Sequence, residues 1–323
     1  MHMENMERYD DKMFYHEEKY YIDKQTGKWI PKSSLTVAPA TKDFKKMKLE
    51  EIKNGELKGG FFHLITEFGT NLIKRFNVSF EDLGKLALLF TYTNYRQGEG
   101  GPMYLKYHNN VHYMDNKKMG EVLKLNPKQI RDFKSKMKKK GILNEEAKTK
   151  RLFFTDDVII RGHIFPVERK NMNYIRVYDE PIRDLYNLIV IEGKTKSSKG
   201  VGVLLALMPF MQKNKNVLSS VYFDEAEQRY RPMSNTKIAE ALGIDRHVLS
   251  RNITAMNNQL IKKIGEPLIY DVTVKPFGIN DERYKKSGLV INPKYSYSST
   301  TSDYERLISE IEKMVITLPE IKM

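Results

Sequence analysis

Five of the seven cations in the segment Pro127–Lys140 share one side of it: Lys128, Arg131, Lys134, Lys138 and Lys139. Spacings of three and four from Lys128 to Lys138, with Lys139 beside the last, place them along one side of a helix, and Ile130, Phe133 and Met137 take the opposite side at spacings of three and four. Cations fixed on a rod attract a phosphate backbone and displace its condensed counterions, which drives association. Near the start of the rod, Gln129 offers an amide that can pair adenine and Arg131 a guanidinium that can pair guanine in a major groove. Lys128, Gln129 and Arg131 are the candidate base readers, and Lys134, Lys138 and Lys139 the candidate phosphate contacts. The chemistry these types support is recognition of a duplex polyanion, with no bond made or broken.

The flanking sequence must position that rod. Asp115 can cap a helix whose apolar positions are Met119, Val122 and Leu123. Asn126 caps a second helix, with Pro127 at its first position, where a missing N–H costs nothing. Gly141 ends it, and Ile142-Leu143 opens a strand. The charged turn Asn144–Arg151 then carries Lys148, Lys150 and Arg151, and Leu152–Phe154 returns as a strand. Helix, turn, basic helix and strand pair outline a helix-turn-helix with a wing.

The outline recurs. At an offset of 119 residues, MDNKKMGEVLKLNPKQIRDFKSKM falls on MSNTKIAEALGIDRHVLSRNITAM without a gap. Asp115 meets Ser234, Asn126 meets Asp245, Met119 meets Ile238, Ile130 meets Leu249 and Met137 meets Met256. Caps and core positions coincide although identities are few, which predicts two copies of one unit. The second copy is less basic. Its candidate contacts are Arg246, His247, Ser250, Arg251 and Thr254, followed by the amides Asn257-Asn258-Gln259. These suit reading by amides and hydroxyls, or a surface for a second protomer.

Composition agrees with a polyanionic partner. The 323 residues hold 55 Lys+Arg against 41 Asp+Glu, a net charge of +14. With no cysteine, disulfides and cysteine-held zinc are excluded. No apolar run approaches a membrane span, and the polar N-terminus carries no signal peptide, so a cytoplasmic protein without membrane contact is expected.

The expected fold class is α+β, mainly helical: two tandem winged helix-turn-helix domains in pseudo-repeat, with an N-terminal arm and a C-terminal helix. Residues 1–58 read as a polar arm with a small hairpin at Tyr20–Ile30. Residues 59–163 form winged-helix domain 1, with helices predicted over Phe61–Phe76 and from Ser79. Residues 164–200 connect the halves through a strand at Tyr174–Tyr178, a helix from Pro181 and a flexible basic loop at Gly193–Gly200. Residues 201–295 form winged-helix domain 2, opened by a helix at Val201–Met211 that matches the helix from Ser79. Residues 296–323 form a linker and an amphipathic helix at Tyr304–Val315, suited to packing on its own domain or to a homodimer.

Catalytic patterns are thin. His108 and His112 lie four apart, but Asn109-Asn110 between them favour a turn, and no Glu completes a metalloprotease motif. Gly193-Lys194-Thr195 resembles the end of a P-loop, yet Leu188 stands where the first glycine belongs. His247 and Arg251 suggest a fragment of a recombinase site without an assignable tyrosine. No enzyme, no cofactor and no metal is expected.

Two winged helices in one basic chain resemble plasmid replication initiator (Rep) proteins and related phage-encoded tandem winged-helix proteins, over roughly Ser79–Pro293. The resemblance rests on layout. It implies binding of iterated or inverted repeats in double-stranded DNA at an origin and recruitment of host replication proteins. The DNA-reading role passes only to Pro127–Lys140 and Arg246–Gln259. A repressor of a mobile element uses the same parts, and a DNA nicking or strand-transfer enzyme is the alternative of another class.

Overall fold

The computed structural model describes residues 6–9, 12–17, 20–23, 29–31, 60–65, 72–98, 100–107, 111–162, 174–211, 216–219, 233–274 and 286–292. The chain divides into two units, Met1–Leu49 and Glu50–Met323. The helix expected at Tyr304–Val315, His108 and the loop between the second pair of wing strands lie outside the described residues.

In the first unit, strands β1 (Met6–Tyr9), β2 (Lys12–Glu17), β3 (Tyr20–Asp23) and β4 (Trp29–Pro31) form an antiparallel meander in chain order. The predicted hairpin is β3–β4, with Ile22 opposite Trp29. Two further strands precede it, so the simple polar arm is corrected. Tyr9, Met13, Phe14 and Tyr15 favour extended chain, and the interleaved charges hide that preference from a count of polarity.

The second unit is mixed α and β, with about half of its described residues helical. In order come β5 (Phe61–Ile65), α1 (Leu72–Phe76), α2 (Phe80–Phe90), β6 (Met103–Tyr104), β7 (Lys106–Tyr107), β8 (His112–Tyr113), α3 (Asn116–Leu123) and α4 (Pro127–Lys139). Then follow β9 (Asn144–Glu145), β10 (Leu152–Phe154), β11 (Ile159–Ile160), β12 (Tyr174–Tyr178) and α5 (Asp179–Ile189). A 3₁₀ turn (Thr195–Ser198) leads into α6 (Lys199–Leu207), and α7 (Asn235–Leu242), α8 (Arg246–Ile264), β13 (Ile269–Val274) and β14 (Lys286–Ile291) close the order.

Two expectations fail. Phe61–Ile65 is strand, not helix: β5 lies between β11 and β12. Phe62, His63 and Leu64 are all buried. A strand covered on both faces reads as a continuous apolar run, and such a run fits a helical period equally well. The loop at Gly193–Gly200 is also shorter than expected, because Thr195–Ser198 already turns as 3₁₀ helix and α6 begins at Lys199.

At the centre, α2 and α6 are apolar almost all round, as helices enclosed by protein must be. They meet backbone to backbone. A Cβ on Gly84 would overlap the Ser198 carbonyl, and a Cβ on Gly202 would overlap the Phe80 carbonyl. The relation is reciprocal: Gly84 maps to Gly202 and Phe80 to Ser198 at the same offset of 118 residues. A contact that maps onto itself when the two halves exchange is the mark of an approximate two-fold axis; a simple displacement would not produce it.

Several bonds around this crossing recur in both halves. Asp115 accepts from the Lys118 N–H as Ser234 does from Lys237. Both first helices end in a left-handed residue, Lys124 at φ 56° and Gly243 at φ 69°. Leu105 N–H donates to the Leu152 carbonyl at 2.8 Å, and Leu218 N–H to the Leu289 carbonyl at 2.7 Å. The sheet order is β6-β10-β9 in one half; in the other, Val217 bridges β14, which pairs with β13.

Helix α5 ties the halves together. Its N-terminal Asp179 forms a buried ion pair with Arg161; burial pushes the Asp179 carboxyl upward even against that guanidinium. At its other end Lys124 donates to the Asn187 and Val190 carbonyls, Gln259 to Ile189 and Lys263 to Leu188. The carbonyls that any helix leaves unpaired at its C-terminus are thus satisfied by side chains from both halves.

Gly84→Ala and Gly202→Ala are expected to cost about 3 kcal/mol each, because neither opposing carbonyl can yield. Gly141→Ala, at φ +68° with open space around it, is expected to cost roughly 1 kcal/mol, the strain of the left-handed region alone. Urea denaturation separates the two cases, and equal costs would dismiss the crossing as a constraint.

Candidate nucleic-acid interface

The second helix of the first half is set by its cap. Asn126 Oδ1 accepts from the Gln129 N–H at 2.9 Å, and Gln129 Oε1 accepts from the Asn126 N–H at 3.0 Å. Gln129 Nε2 also donates to the Gly193 carbonyl at 3.2 Å. Both ends of the Gln129 amide are therefore engaged in holding the helix, which removes it from the base readers. Lys128 and Arg131 project from the exposed side, with no ion-pair partner among the described residues.

The lysine run divides between structure and surface. Lys134 is half-buried; burial pushes its ammonium down, and it donates to Asn116 Oδ1 at 2.7 Å, joining α4 to the start of α3. Lys138 pairs with Glu145 at 2.6 Å, and that hydrogen bond holds the Glu145 carboxyl below the usual range. Lys136 and Lys85 share the buried Asp82 of α2. Lys140 donates to the Phe76 and Asn77 carbonyls, both at 2.8 Å, and so caps α1. Lys139 alone of the predicted phosphate contacts on α4 is exposed without a partner among the described residues. Lys134 and Lys138 are corrected to tethers. Spacing places a cation on a face but does not reveal which carboxylate or carbonyl another element brings to it.

The turn between β9 and β10 keeps its expected cations. Lys148 and Lys150 are exposed, and Lys150 holds φ +58° with its N–H on the Glu146 carbonyl. Arg151 lies over the Tyr113 ring, 3.9 Å from its centre.

In the second half, Asp245 accepts from the N–H groups of His247 and Val248. Arg246, His247, Arg251 and Thr254 are exposed and Ser250 is half-buried, all on α8. Arg246 and Ser250 line a hollow of about 320 Å³ facing Ser234, Asn235 and Leu289. Of the three amides beyond them, Asn258 is exposed and the other two are engaged inside the protein. Asn257 is buried: it donates to the Ile269 carbonyl at 2.7 Å and accepts from the Leu268 and Ile269 N–H groups, both at 3.1 Å. Gln259 caps α5. The signal for Asn257 lay in its spacing, four after Ile253 and three before Leu260, both buried.

Sequence reasoning missed Lys106, Tyr113 and Lys136. The signal for Lys106 lay in the run Tyr104-Leu105-Lys106-Tyr107, which sets a cation among aromatic residues.

Among the described residues no His, Asp or Glu groups of three gather to hold a metal ion, and no helix is long and apolar enough to cross a membrane. The chain matches no family model, no curated protein and no solved structure.

Asp82 yields a pH test of how α4 is anchored. Burial pushes its carboxyl up, but the Lys136 and Lys85 ammonium groups outweigh that and hold it below its ordinary value of 3.8. A carboxyl with a depressed folded value stabilises above the unfolded value and loses that contribution as pH falls through the folded one. Asp82→Asn should therefore lower the melting temperature evenly from pH 7 to pH 5, and the gap should close only below pH 3.8. A gap that closes by pH 5 would mean that Asp82 is not held by these cations.

Proposed function

We propose that the chain is a sequence-specific double-stranded DNA-binding protein made of two tandem winged helices, residues 59–163 and 201–295, acting as a replication initiator of a plasmid or phage. The observation that carries this is the repeated device: a capped helix-turn-helix, a strand pair behind it whose second strand also meets the segment before the motif, and an exposed cationic side on its second helix. In a winged helix the second helix enters the major groove and the wing and flanking cations meet phosphates. Lys128, Arg131, Lys139, Lys148 and Lys150 supply these groups in the first half, and Arg246, His247, Arg251 and Thr254 in the second. The net charge of +14 fits the same partner.

Initiation follows from the resemblance in layout. Such a protein acts by gripping and deforming DNA and by recruiting host replication proteins, with no bond chemistry of its own. The reciprocal contact at Gly84 and Gly202 supports a site made of half-sites of opposite polarity under this reading. The two helices differ in sequence, so the half-sites differ too.

Selection from random duplexes with the full chain should yield an imperfect inverted repeat, and footprinting should place copies of it beside an AT-rich origin. A footprint over a promoter would make the protein a repressor, and a covalent tyrosine–DNA adduct would make it a strand-transfer enzyme. No enrichment above the starting pool would end the proposal. Within the selected site, Arg131→Ala should cost about 1–3 kcal/mol and relax the preference at one base pair. Equal loss on selected and random duplex would move Arg131 to the phosphates.

A further inference from the structure

We infer that Lys106, Tyr113 and Arg151 form a built phosphate clamp that grips the DNA backbone beside the first helix-turn-helix, an inference that rests on the duplex-binding proposal above. Lys106 Nζ lies 4.6 Å and Arg151 Cζ 3.9 Å from the centre of the same Tyr113 ring. The two cations sit on different elements, β7 and the start of β10, and converge on one side chain of β8. Sharing a ring, they cannot be farther apart than those two distances laid end to end.

Two like charges held this close repel each other. The ring face attracts each of them but neutralises neither. Glu146 and Asp115 on the packed elements bond to neutral donors, Glu146 to the Tyr104 hydroxyl at 3.4 Å and to Thr149, and Asp115 to the Lys118 N–H at 2.7 Å, and neither forms an ion pair with these two cations. Among the described residues neither Lys106 nor Arg151 has an ion-pair partner. An anion placed against both is the group that removes the repulsion, and the guanidinium fork and the ammonium fit the oxygens of a phosphodiester.

The surroundings fix the clamp in place. Tyr113 packs edge-on to Tyr104 with centroids 5.6 Å apart, and Tyr104 packs edge-on to Phe153 at 5.7 Å. Lys106 pairs with Tyr113 across β7–β8, and its N–H donates to the Tyr92 carbonyl at 2.7 Å. The site stands between the cap of α3 and the base of the β9–β10 turn, where the backbone passes when α4 occupies the groove. Tyr113 is a positioning residue: it aims the cations and carries no charge.

The test uses the full chain and a fluorescent random-sequence duplex titrated from 50 to 300 mM salt. Each phosphate neutralised contributes about 0.9 to the slope of log affinity against log salt. Lys106→Gln with Arg151→Gln should lower the slope by about 1.8, two contacts' worth. Tyr113→Leu should lower it by about 1 or more while every cation remains, and Tyr113→Phe, which keeps the ring face, should retain the wild-type slope. An unchanged slope in the Lys106/Arg151 variant, or a loss in Tyr113→Phe equal to that in Tyr113→Leu, overturns the clamp while duplex binding stands. Wild-type protein that fails to bind the duplex at 50 mM salt overturns the duplex-binding proposal and the clamp with it.

Discussion

Everything in the second unit is placed by the contact of two helix backbones at Gly84 and Gly202. Ordinary side chains hold helix axes about 8–10 Å apart; absent side chains let the Phe80 and Ser198 carbonyls come within reach of the opposing helix. Ser198 adds a hydrogen bond from its hydroxyl to the Glu81 carbonyl at 2.7 Å. A crossing made of backbone has little slack. Each half then hangs its helix-turn-helix and strands on one of the two central helices, so the fixed crossing becomes a fixed relation between α4 and α8.

The described cations do two different jobs, and their partners sort them. Lys124, Lys136, Lys140 and Lys263 end on carbonyls or on a buried carboxylate. Their positive charge completes helix C-termini and joins elements, which suits the partial negative charge of a helix end. Lys128, Arg131, Lys139, Lys148 and Lys150 have no such anchor among the described residues and face outward. The positive surface therefore rests on fewer residues than composition suggests. In the first half, five of those that remain lie on α4 and at the β9–β10 turn, and in the second half Arg246 and Arg251 lie on α8.

Local signals carried much of the sequence reading. The caps Asp115, Asn126, Ser234 and Asp245 sit where short polar side chains precede apolar periodicity, and each accepts a backbone N–H as that chemistry requires. Such bonds span three residues, so a single sequence displays them. The failures at the site and in the central sheet are long-range. Phe61–Ile65 is strand because β11 and β12 flank it, and those partners lie about a hundred residues downstream. Gln129 is engaged partly by Gly193, and Lys136 by Asp82, neither of them near in sequence. Lys106 and Arg151 are 45 positions apart and meet only because β8 brings Tyr113 between them. Periodicity assigns a face, and tertiary pairing then decides which side chains on that face stay free.

The two halves share a skeleton but have diverged in how they end. Helix α4 stops at Lys139, with Lys140 turned back to cap α1; helix α8 runs on to Ile264 and spends its last turns on the connector, through Gln259 and Lys263. In the first half the sheet side carries the stacked cations at Tyr113 and the exposed lysines of the turn. In the second half Asn257 sews α8 to the first wing strand by three hydrogen bonds, so rigidity replaces charge. A long helix pinned at its far end resists rocking, so the backbone beneath Arg246, His247 and Arg251 keeps one orientation relative to the connector.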